Sequence, residues 1–160
     1  MGIRKEHLDF LIKNTSLFKA KMLELGNQQM RDFPKSAKEY FGSIGCYHLS
    51  IDRNGLDGSM VYDLGKEINI FDNEFDIITN FGTSCYVDDY NICYSNIHRM
   101  CKNDGIMIHI LPFKGSKWVA NHFVDEEFFL KLAKKFNYKI KDIKEMQGIH
   151  GKLLMVALIK

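Results

Sequence analysis

The stretch that most constrains the fold of this chain is KMLELGNQ, residues 21–28. Its first five residues are mostly apolar and include the acid Glu24, and Gly26 and polar residues follow. A short apolar strand that ends at a glycine turn is typical of the first strand of an open α/β sheet. Gly26 also permits a sharp turn with a close backbone approach to a ligand. We therefore expect the rest of the chain to extend one sheet from this strand.

Length and charge restrict the class of protein. At 160 residues, the chain predicts a single domain over residues 1–160. The net charge of +2 is too small for a typical dedicated nucleic-acid binder. The four cysteines show no C-x-x-C spacing, which argues against a zinc site and predicts buried free thiols. No apolar run has membrane-spanning length and the first residues lack a signal core, so we expect a cytoplasmic protein without a membrane partner.

Apolar spacing predicts alternating strands and helices. Strands are expected at residues 21–25, 46–52, 60–64, 75–80, 106–111, 138–146 and 153–159. Helices are expected at residues 5–18, 28–45, 87–102 and 124–136. Only residues 53–59 join the second and third strands, so we expect a loop there instead of a crossover helix. The order predicts a three-layer, Rossmann-like α/β fold: a mostly parallel sheet, helices on both faces and a C-terminal antiparallel hairpin strand.

Three acids lie at or near the carboxyl ends of the first three predicted strands: Glu24, Asp52 and Asp63. Ligands of open α/β sheets bind at those ends. Carboxylates suit hydroxyls, amino groups and cations, whereas a pyrophosphate favours a G-x-G-x-x-G turn followed by helix amides. The set therefore favours a positively charged nucleoside without phosphate over NAD, FAD or ATP. The alternatives are a helix cap or a salt bridge for Glu24 and the start of a turn for Asp52 and Asp63.

Five segments together resemble the motifs of the class I S-adenosylmethionine-dependent methyltransferases: MLELGNQ, HLSID, VYDLG, FDIITNFGT and NIHRMCKNDGIMIHILP. The resemblance covers roughly residues 20–112. It implies S-adenosylmethionine as the cofactor and methyl transfer to an undefined acceptor, with a small molecule favoured. Asn27 and Gln28 stand where that family usually has further glycines.

The resemblance also implies roles for residues at the strand ends. The expected cofactor-binding residues are Glu24, Gly26, Asn27, Asp52, Asp63, Leu64, Asn80 and Phe81. The first three would lie at the methionine part, Asp52 would bind the ribose hydroxyls, and Asp63 with the Leu64 backbone would face the adenine amine. The last two would border the transferring methyl group.

The acceptor side is expected at the fifth strand and the loop that follows it. His109 and His122 are candidate catalytic bases, because a histidine pKa lies near neutrality. Trp118 and Asn121 are candidate substrate-binding residues. The alternatives are a core histidine for His109, an exposed loop residue for His122 and a packing lid for Trp118.

Two other functions are consistent with the sequence. One is a nonenzymatic subunit of a larger assembly that binds S-adenosylmethionine or another nucleoside. The other is an RNA 2′-O-ribose methyltransferase, in which Lys114 and Glu145 would fill two of four catalytic positions and Asn80 replaces an aspartate. The residues after the fourth strand are not [DN]-P-P-[YFW], which argues against methylation of DNA-base amines. A homo-oligomer is a further expectation, since a partner subunit could complete the acceptor pocket.

Overall fold

A computed structural model describes residues 2–160 of the protein. The strands are β1 Lys21–Leu25, β2 Tyr47–Asp52, β3 Met60–Val61, β4 Phe75–Phe81, β5 Cys101–Pro112, β6 Lys139–Gly148 and β7 Gly151–Ile159. The α-helices are α1 Lys5–Asn14, α2 Ala37–Ser43, α3 Tyr90–Met100 and α4 Glu126–Phe136. The strands form one sheet in the order β3-β2-β1-β4-β5-β7-β6.

The sheet is parallel except at its C-terminal edge. β1 pairs in parallel with both β2 and β4, and β5 continues the parallel part beyond β4. β7 is antiparallel to both β5 and β6. The predicted fold class is therefore confirmed. The strand order reverses between β1 and β4, and the crevice at their carboxyl ends is where open α/β sheets bind ligands.

Side chains on the two faces of the sheet enter two separate hydrophobic cores. Leu23 and Leu25 of β1 pack in the core that also holds α3 and α4 residues, whereas Met22 packs with α1 and α2. This alternation follows from the two-residue side-chain period of a strand. Glu24 shares the Met22 face and is fully buried there. The carboxyl end of β1 is thus fixed from both sides.

The helix predicted over residues 28–45 is wrong for its first half. Only Ala37–Ser43 is helical, and the Ser36 side chain with Glu39 forms a capping box at its start. The preceding segment instead pairs with the N-terminus: Ile3 donates its backbone N–H to Gln29, and Arg31 donates its own to Ile3, each at 2.8 Å. These contacts satisfy backbone groups that a helix would otherwise use. No helix follows the glycine turn directly.

Other boundaries also differ from the predictions, for example α1, which ends at Asn14 and not at residue 18. α3 spans Tyr90–Met100 where residues 87–102 were expected, and β5 begins directly after it, at Cys101 and not at residue 106. β6 and β7 are joined by two residues, Ile149 and His150, not by the predicted loop over residues 147–152. β3 has only two residues.

The connection between β2 and β3 contains a short 3₁₀ turn and no α-helix, as predicted. Without a crossover helix, this edge of the sheet keeps large apolar side chains in solvent. Tyr47 is 66% exposed and Val61 is 68% exposed. The missing helix therefore changes the surface of the edge without changing the strand order.

Candidate functional site

A cleft lies at the carboxyl ends of β2, β3 and β4, and we call it the switch-point cleft. Its volume is about 210 Å³. It is lined by residues 51–53 from β2, residues 62–64 beyond β3, Thr83, Tyr86 and Val87 beyond β4, and Gln28 from the turn after β1. The cleft brings together two of the predicted acids, Asp52 and Asp63, with Leu64 beside them.

Asp52 connects the end of β2 to the glycine turn. Its Oδ2 accepts the backbone N–H of Asn27 at 2.9 Å, and its Oδ1 accepts that of Asn54 at 3.1 Å. A carboxylate oxygen can accept more than one hydrogen bond. Each oxygen of this half-buried acid therefore keeps capacity for a donor in the cleft, such as a sugar hydroxyl.

Asp63, which follows β3, has a similar local arrangement. Its Oδ1 accepts the backbone N–H of Gly65 at 2.9 Å, which forms a turn that fixes the carboxylate. Leu64 is buried, and its carbonyl accepts the Asn96 side chain at 3.1 Å. Asn96 in α3 thereby holds this segment against the body of the protein.

Glu24 lies below the turn and is not among the residues that line the cleft. Its Oε1 accepts the backbone N–H of Gln28 at 3.0 Å, and its Oε2 lies 2.8 Å from His48 Nε2. Burial raises the pKa of the Glu24 carboxyl above its ordinary value, although His48 opposes that shift. The role this geometry supports is to position the turn from inside the core.

Thr83 lies directly on the glycine turn. Its hydroxyl donates to the Leu25 carbonyl at 2.6 Å and accepts the Gln28 side-chain amide at 3.3 Å. A Cβ added to Gly26, whose φ is +81°, would lie only 2.2 Å from Thr83 Oγ1. This Thr83–Gln28 bridge spans the crevice between β1 and β4. Neither residue was a predicted site residue, although Thr83 ends the fourth-strand motif FDIITNFGT.

The structure places His109 and Asn80 in the core. Asn80 donates to Ser84 Oγ at 2.8 Å, its side-chain nitrogen lies 3.0 Å from His109 Nδ1, and both residues are fully buried. Burial lowers the pKa of His109 to about 3. The prediction of His109 as a catalytic base therefore gains no support from this geometry, which places the ring in the core. Asn80 fixes the turn after β4 instead of facing the cleft.

The predicted acceptor loop divides into two parts. Asn121 and His122 dock on the turn after β4, where both backbone N–H groups donate to the Cys85 carbonyl. The His122 ring stacks on Tyr90 at 4.3 Å between centroids, and its Nε2 lies 2.9 Å from the Val87 carbonyl oxygen. These residues support the outer wall of the switch-point cleft.

Trp118 lines a different space, which we call the N-terminal cavity. It has a volume of about 810 Å³ and lies between the first residues of the chain, Arg31, Trp118 and the β6–β7 turn. His7 and Arg4 contribute to its wall from the N-terminal segment. The His7 ring also contacts Phe81, the last residue of β4, at 5.9 Å between centroids.

Two observations bear on other classes of site. Within residues 2–160, no group of three or more His, Cys, Asp or Glu side chains is placed to hold a metal ion. The same residues contain no helix long and apolar enough to cross a membrane.

The RNA-modifying alternative gains no support from its two residues. Lys114 is exposed and lies 3.9 Å from Asp125, while Glu145 pairs with Lys152 at 2.6 Å. Neither residue lines either cavity.

Comparison with known proteins bears on the fold. The family model of a methyltransferase domain matches residues 51–109. The structure is similar to an S-adenosylmethionine-dependent methyltransferase from Mesorhizobium loti, with a TM-score of 0.74, 12% identity and 96% of each chain covered. No curated protein matches the sequence.

Two further solved structures are informative. The 1,6-didemethyltoxoflavin-N1-methyltransferase of Burkholderia thailandensis, solved with 1,6-didemethyltoxoflavin and S-adenosylhomocysteine, has a TM-score of 0.68 at 16% identity, over 88% of this chain and 71% of that one. The [4+2]-cyclase SpnF has a TM-score of 0.71 at 13% identity, over 95% of this chain and 79% of that one. One of these structures is described as S-adenosylmethionine dependent, and another was solved with S-adenosylhomocysteine, the demethylated product of the predicted cofactor S-adenosylmethionine. The chain has the fold of the class I S-adenosylmethionine-dependent methyltransferases, as its motifs predict.

Proposed function

We propose that this protein binds S-adenosylmethionine in the switch-point cleft and transfers its methyl group to a small-molecule acceptor. The observation that carries this proposal is the pair of carboxylates, Asp52 and Asp63, that line one cleft at the carboxyl ends of parallel strands. The Asp52 carboxylate would accept the ribose hydroxyls, and Asp63 with the Leu64 backbone would contact the adenine amine.

The residues present fit a nucleoside without phosphate. Residues 27–36 form no helix, so no helix N-terminus with its row of free amides follows the turn to hold a pyrophosphate. Two acids in the cleft would repel phosphate oxygens but suit hydroxyl and amine donors. Tyr62 and Tyr86 on opposite segments of the cleft supply aromatic area for a flat base.

The cleft alone is smaller than the about 300 Å³ typical of ligand pockets. It therefore suits the adenosine part, and the methionine part would cross the turn at Gly26 toward β4. Thr83 and Gln28 occupy that path, so their side chains would have to separate when the complete cofactor binds. This is a side-chain rearrangement and leaves the sheet in place.

The cofactor supplies an activated methyl group on a sulfonium. The protein would contribute proximity and orientation, which suffice for much of the rate enhancement of a displacement. Burial lowers the pKa of His7 to about 4 and that of His109 to about 3, so neither imidazole is suited to accept a proton at neutral pH and retain it. His122 would contribute indirectly, by supporting the outer wall of the switch-point cleft.

A second candidate function is a nonenzymatic module that binds a nucleoside. The Thr83–Gln28 bridge favours it, because the adenosine part of the crevice is open while the methionine part is closed. The similarity to a [4+2]-cyclase is consistent with this second candidate, since one fold can host activities other than methyl transfer.

Calorimetry with four ligands separates the two functions. We expect S-adenosylmethionine and S-adenosylhomocysteine to bind at least about tenfold more tightly than adenosine and 5′-methylthioadenosine, because the amino-acid part gains contacts at the turn. Equal affinities for all four would favour the nucleoside module. No binding of any of the four would refute both functions. Turnover of methyl-labelled cofactor against small acids, amines and RNA then identifies the acceptor class.

A further inference from the structure

We propose that the N-terminal cavity binds the methyl acceptor and that this acceptor is a planar small molecule carrying a carboxylate. The inference rests on the proposed methyl-transfer function and assigns the chemical class of its second substrate. Four properties of the cavity support it: its unpartnered donors, its charge, its apolar wall and its position beside β4.

Two residues of the cavity wall, His7 and Trp118, each carry a buried hydrogen-bond donor without a partner. His7 is 1% exposed, and its Nδ1 accepts the backbone N–H of Arg4 at 3.3 Å, so the proton of the neutral ring lies on Nε2. His7 Nε2 and Trp118 Nε1 are both buried and without a hydrogen-bond partner. Buried N–H groups without partners are costly in a finished structure. Neither nitrogen has accessible surface, so an acceptor-rich ligand in the cavity would reach them only if the two side chains shift.

The charge of the cavity favours an anion. Arg31 is exposed, and none of the ion pairs or side-chain hydrogen bonds found in residues 2–160 involves its guanidinium. Arg4 makes only a long contact with Asp32, at 3.7 Å. Glu6 is the acid that lines the cavity, and it is exposed. A guanidinium without a carboxylate partner is well suited to bind one through two parallel hydrogen bonds.

The rest of the wall is apolar and partly flat. Trp118, Met146, Ile149 and Leu153 line the cavity, and the Trp118 ring meets the His150 ring edge-on at 4.8 Å between centroids. The indole on this wall is a flat surface of the kind on which another ring can pack. The volume of about 810 Å³ lies within the range of small-molecule pockets. The combination fits a planar body with one anionic end.

The cavity also lies close to the end of β4. His7 forms part of its wall and packs on Phe81, the residue expected to border the methyl group. Arg31 belongs to the segment that begins at the glycine turn, and only four residues separate it from Gly26. During transfer, a lone pair of the acceptor would form the bond to the methyl carbon as the carbon–sulfur bond breaks onto sulfur. A proton on the attacking atom would leave to water.

The single tryptophan of the chain is Trp118, so intrinsic fluorescence reports directly on this cavity. We suggest titrating the protein with benzoate and with benzamide, its neutral isostere, in the presence of S-adenosylhomocysteine. We expect a saturable change in emission with benzoate and binding at least about tenfold weaker with benzamide, because the amide lacks the charge-assisted bonds.

Variants at Arg31 test the assignment. Arg31→Gln should weaken benzoate about tenfold or more, and Arg31→Lys should weaken it less, since the charge remains but the paired hydrogen bonds are lost. Lys117→Gln is the matched control: it removes one exposed positive charge from the loop that carries Trp118, and Lys117 does not line the cavity. It should leave benzoate affinity within about twofold.

The outcomes distinguish the two proposals. Three results would overturn carboxylate recognition, provided that calorimetry still shows S-adenosylhomocysteine binding. They are equal affinities for benzoate and benzamide, no response to either compound, and an unchanged benzoate affinity in Arg31→Gln. Failure of the wild-type protein to bind S-adenosylhomocysteine would refute the proposed function itself. Binding of S-adenosylhomocysteine to Arg31→Gln with wild-type affinity shows that this variant is folded.

Discussion

The carboxylate of Asp52 accepts the backbone N–H of Asn27 at 2.9 Å, so the end of β2 fixes the conformation of the turn after β1. The two residues are 25 positions apart in sequence and meet only because β1 and β2 are parallel neighbours. One carboxylate thus serves the turn and lines the cleft. Loss of its charge should disturb both.

Asp52→Asn tests this double role. The amide retains the size of the side chain but provides only one acceptor oxygen, so one of the two backbone donors, or the ribose, loses its partner. We expect S-adenosylmethionine affinity to fall about 10- to 100-fold, as for loss of hydrogen bonds to a charged group. Calorimetry measures the change. The control is Asp104→Asn, at an exposed site near the amino end of β5, which should leave S-adenosylmethionine affinity unchanged. An Asp52→Asn variant with wild-type affinity would contradict the ribose assignment.

Gly26→Ala tests the contact between the turn and Thr83. Gly115 is the matched control, because its φ of +84° is close to the +81° of Gly26 but nothing lies within 4 Å of its added Cβ. Gly115→Ala should cost only the left-handed backbone penalty of about 1 kcal/mol. Gly26→Ala should cost about 1–3 kcal/mol more, since its Cβ would overlap Thr83 Oγ1. Urea unfolding measures both.

A double-mutant cycle isolates the Thr83 part of that cost. In a Thr83→Ala background, the added methyl at Gly26 loses its closest neighbour, so the extra destabilisation should shrink. An equal cost of Gly26→Ala in both backgrounds would show that the contact with Thr83 is not the cause.

Features set by local pattern were predictable from the sequence. The residues of β1 were predicted without error, and the ends of β2 and β4 were placed to within one residue, because apolar runs that end at acids and glycines mark strand ends directly. The two acids of the cleft followed from the same rule. Parallel strands carry their carboxyl ends to one edge, so Asp52 and Asp63 had to lie near each other.

Features set by distant contacts were not predictable. Residues 28–36 have helical spacing, but the N-terminal segment at Ile3 takes their backbone hydrogen bonds. His109 interrupts an apolar strand, and only the packing of Tyr94 and Phe129 on its ring shows that it is core. Likewise, His7 gave no signal in sequence, because its position on Phe81 depends on how α1 crosses the sheet. Local sequence patterns do not predict such contacts between residues that are distant in sequence.

His122 offers a test of support against base catalysis. The ring stacks on Tyr90 and bonds to the Val87 carbonyl, so His122→Phe keeps the stack and loses the polar contact. We expect His122→Ala to be less stable than His122→Phe by about 1 kcal/mol, the value of an aromatic pair. Urea unfolding gives this difference. The pH profile of methyl transfer in His122→Phe should keep its wild-type shape, whereas loss of its acidic limb would identify His122 as the base.

Buried histidines should make stability depend on pH in the acidic range. Burial lowers the pKa of His7 to about 4 and of His109 to about 3, against an ordinary value of 6.5. As the pH decreases, these two histidines therefore become protonated in the unfolded chain before they do so in the folded protein. The free energy of unfolding should be at its full value above pH 6.5 and fall as the pH decreases below it, with each ring contributing up to about 1.4 kcal/mol per pH unit.

Substitution at His109 isolates its share of this slope. Urea titrations at pH 7, 6 and 5 give the free energy of unfolding at each pH. Between pH 6 and pH 5, this free energy should fall by about 1 kcal/mol less in His109→Leu than in the wild type. Met107→Leu changes a buried residue on the same face of β5 without removing a titratable group, so its slope should match the wild type. A wild-type slope in His109→Leu would mean that the folded protein accommodates a charged ring at this position, and the core placement of His109 would then need to be abandoned.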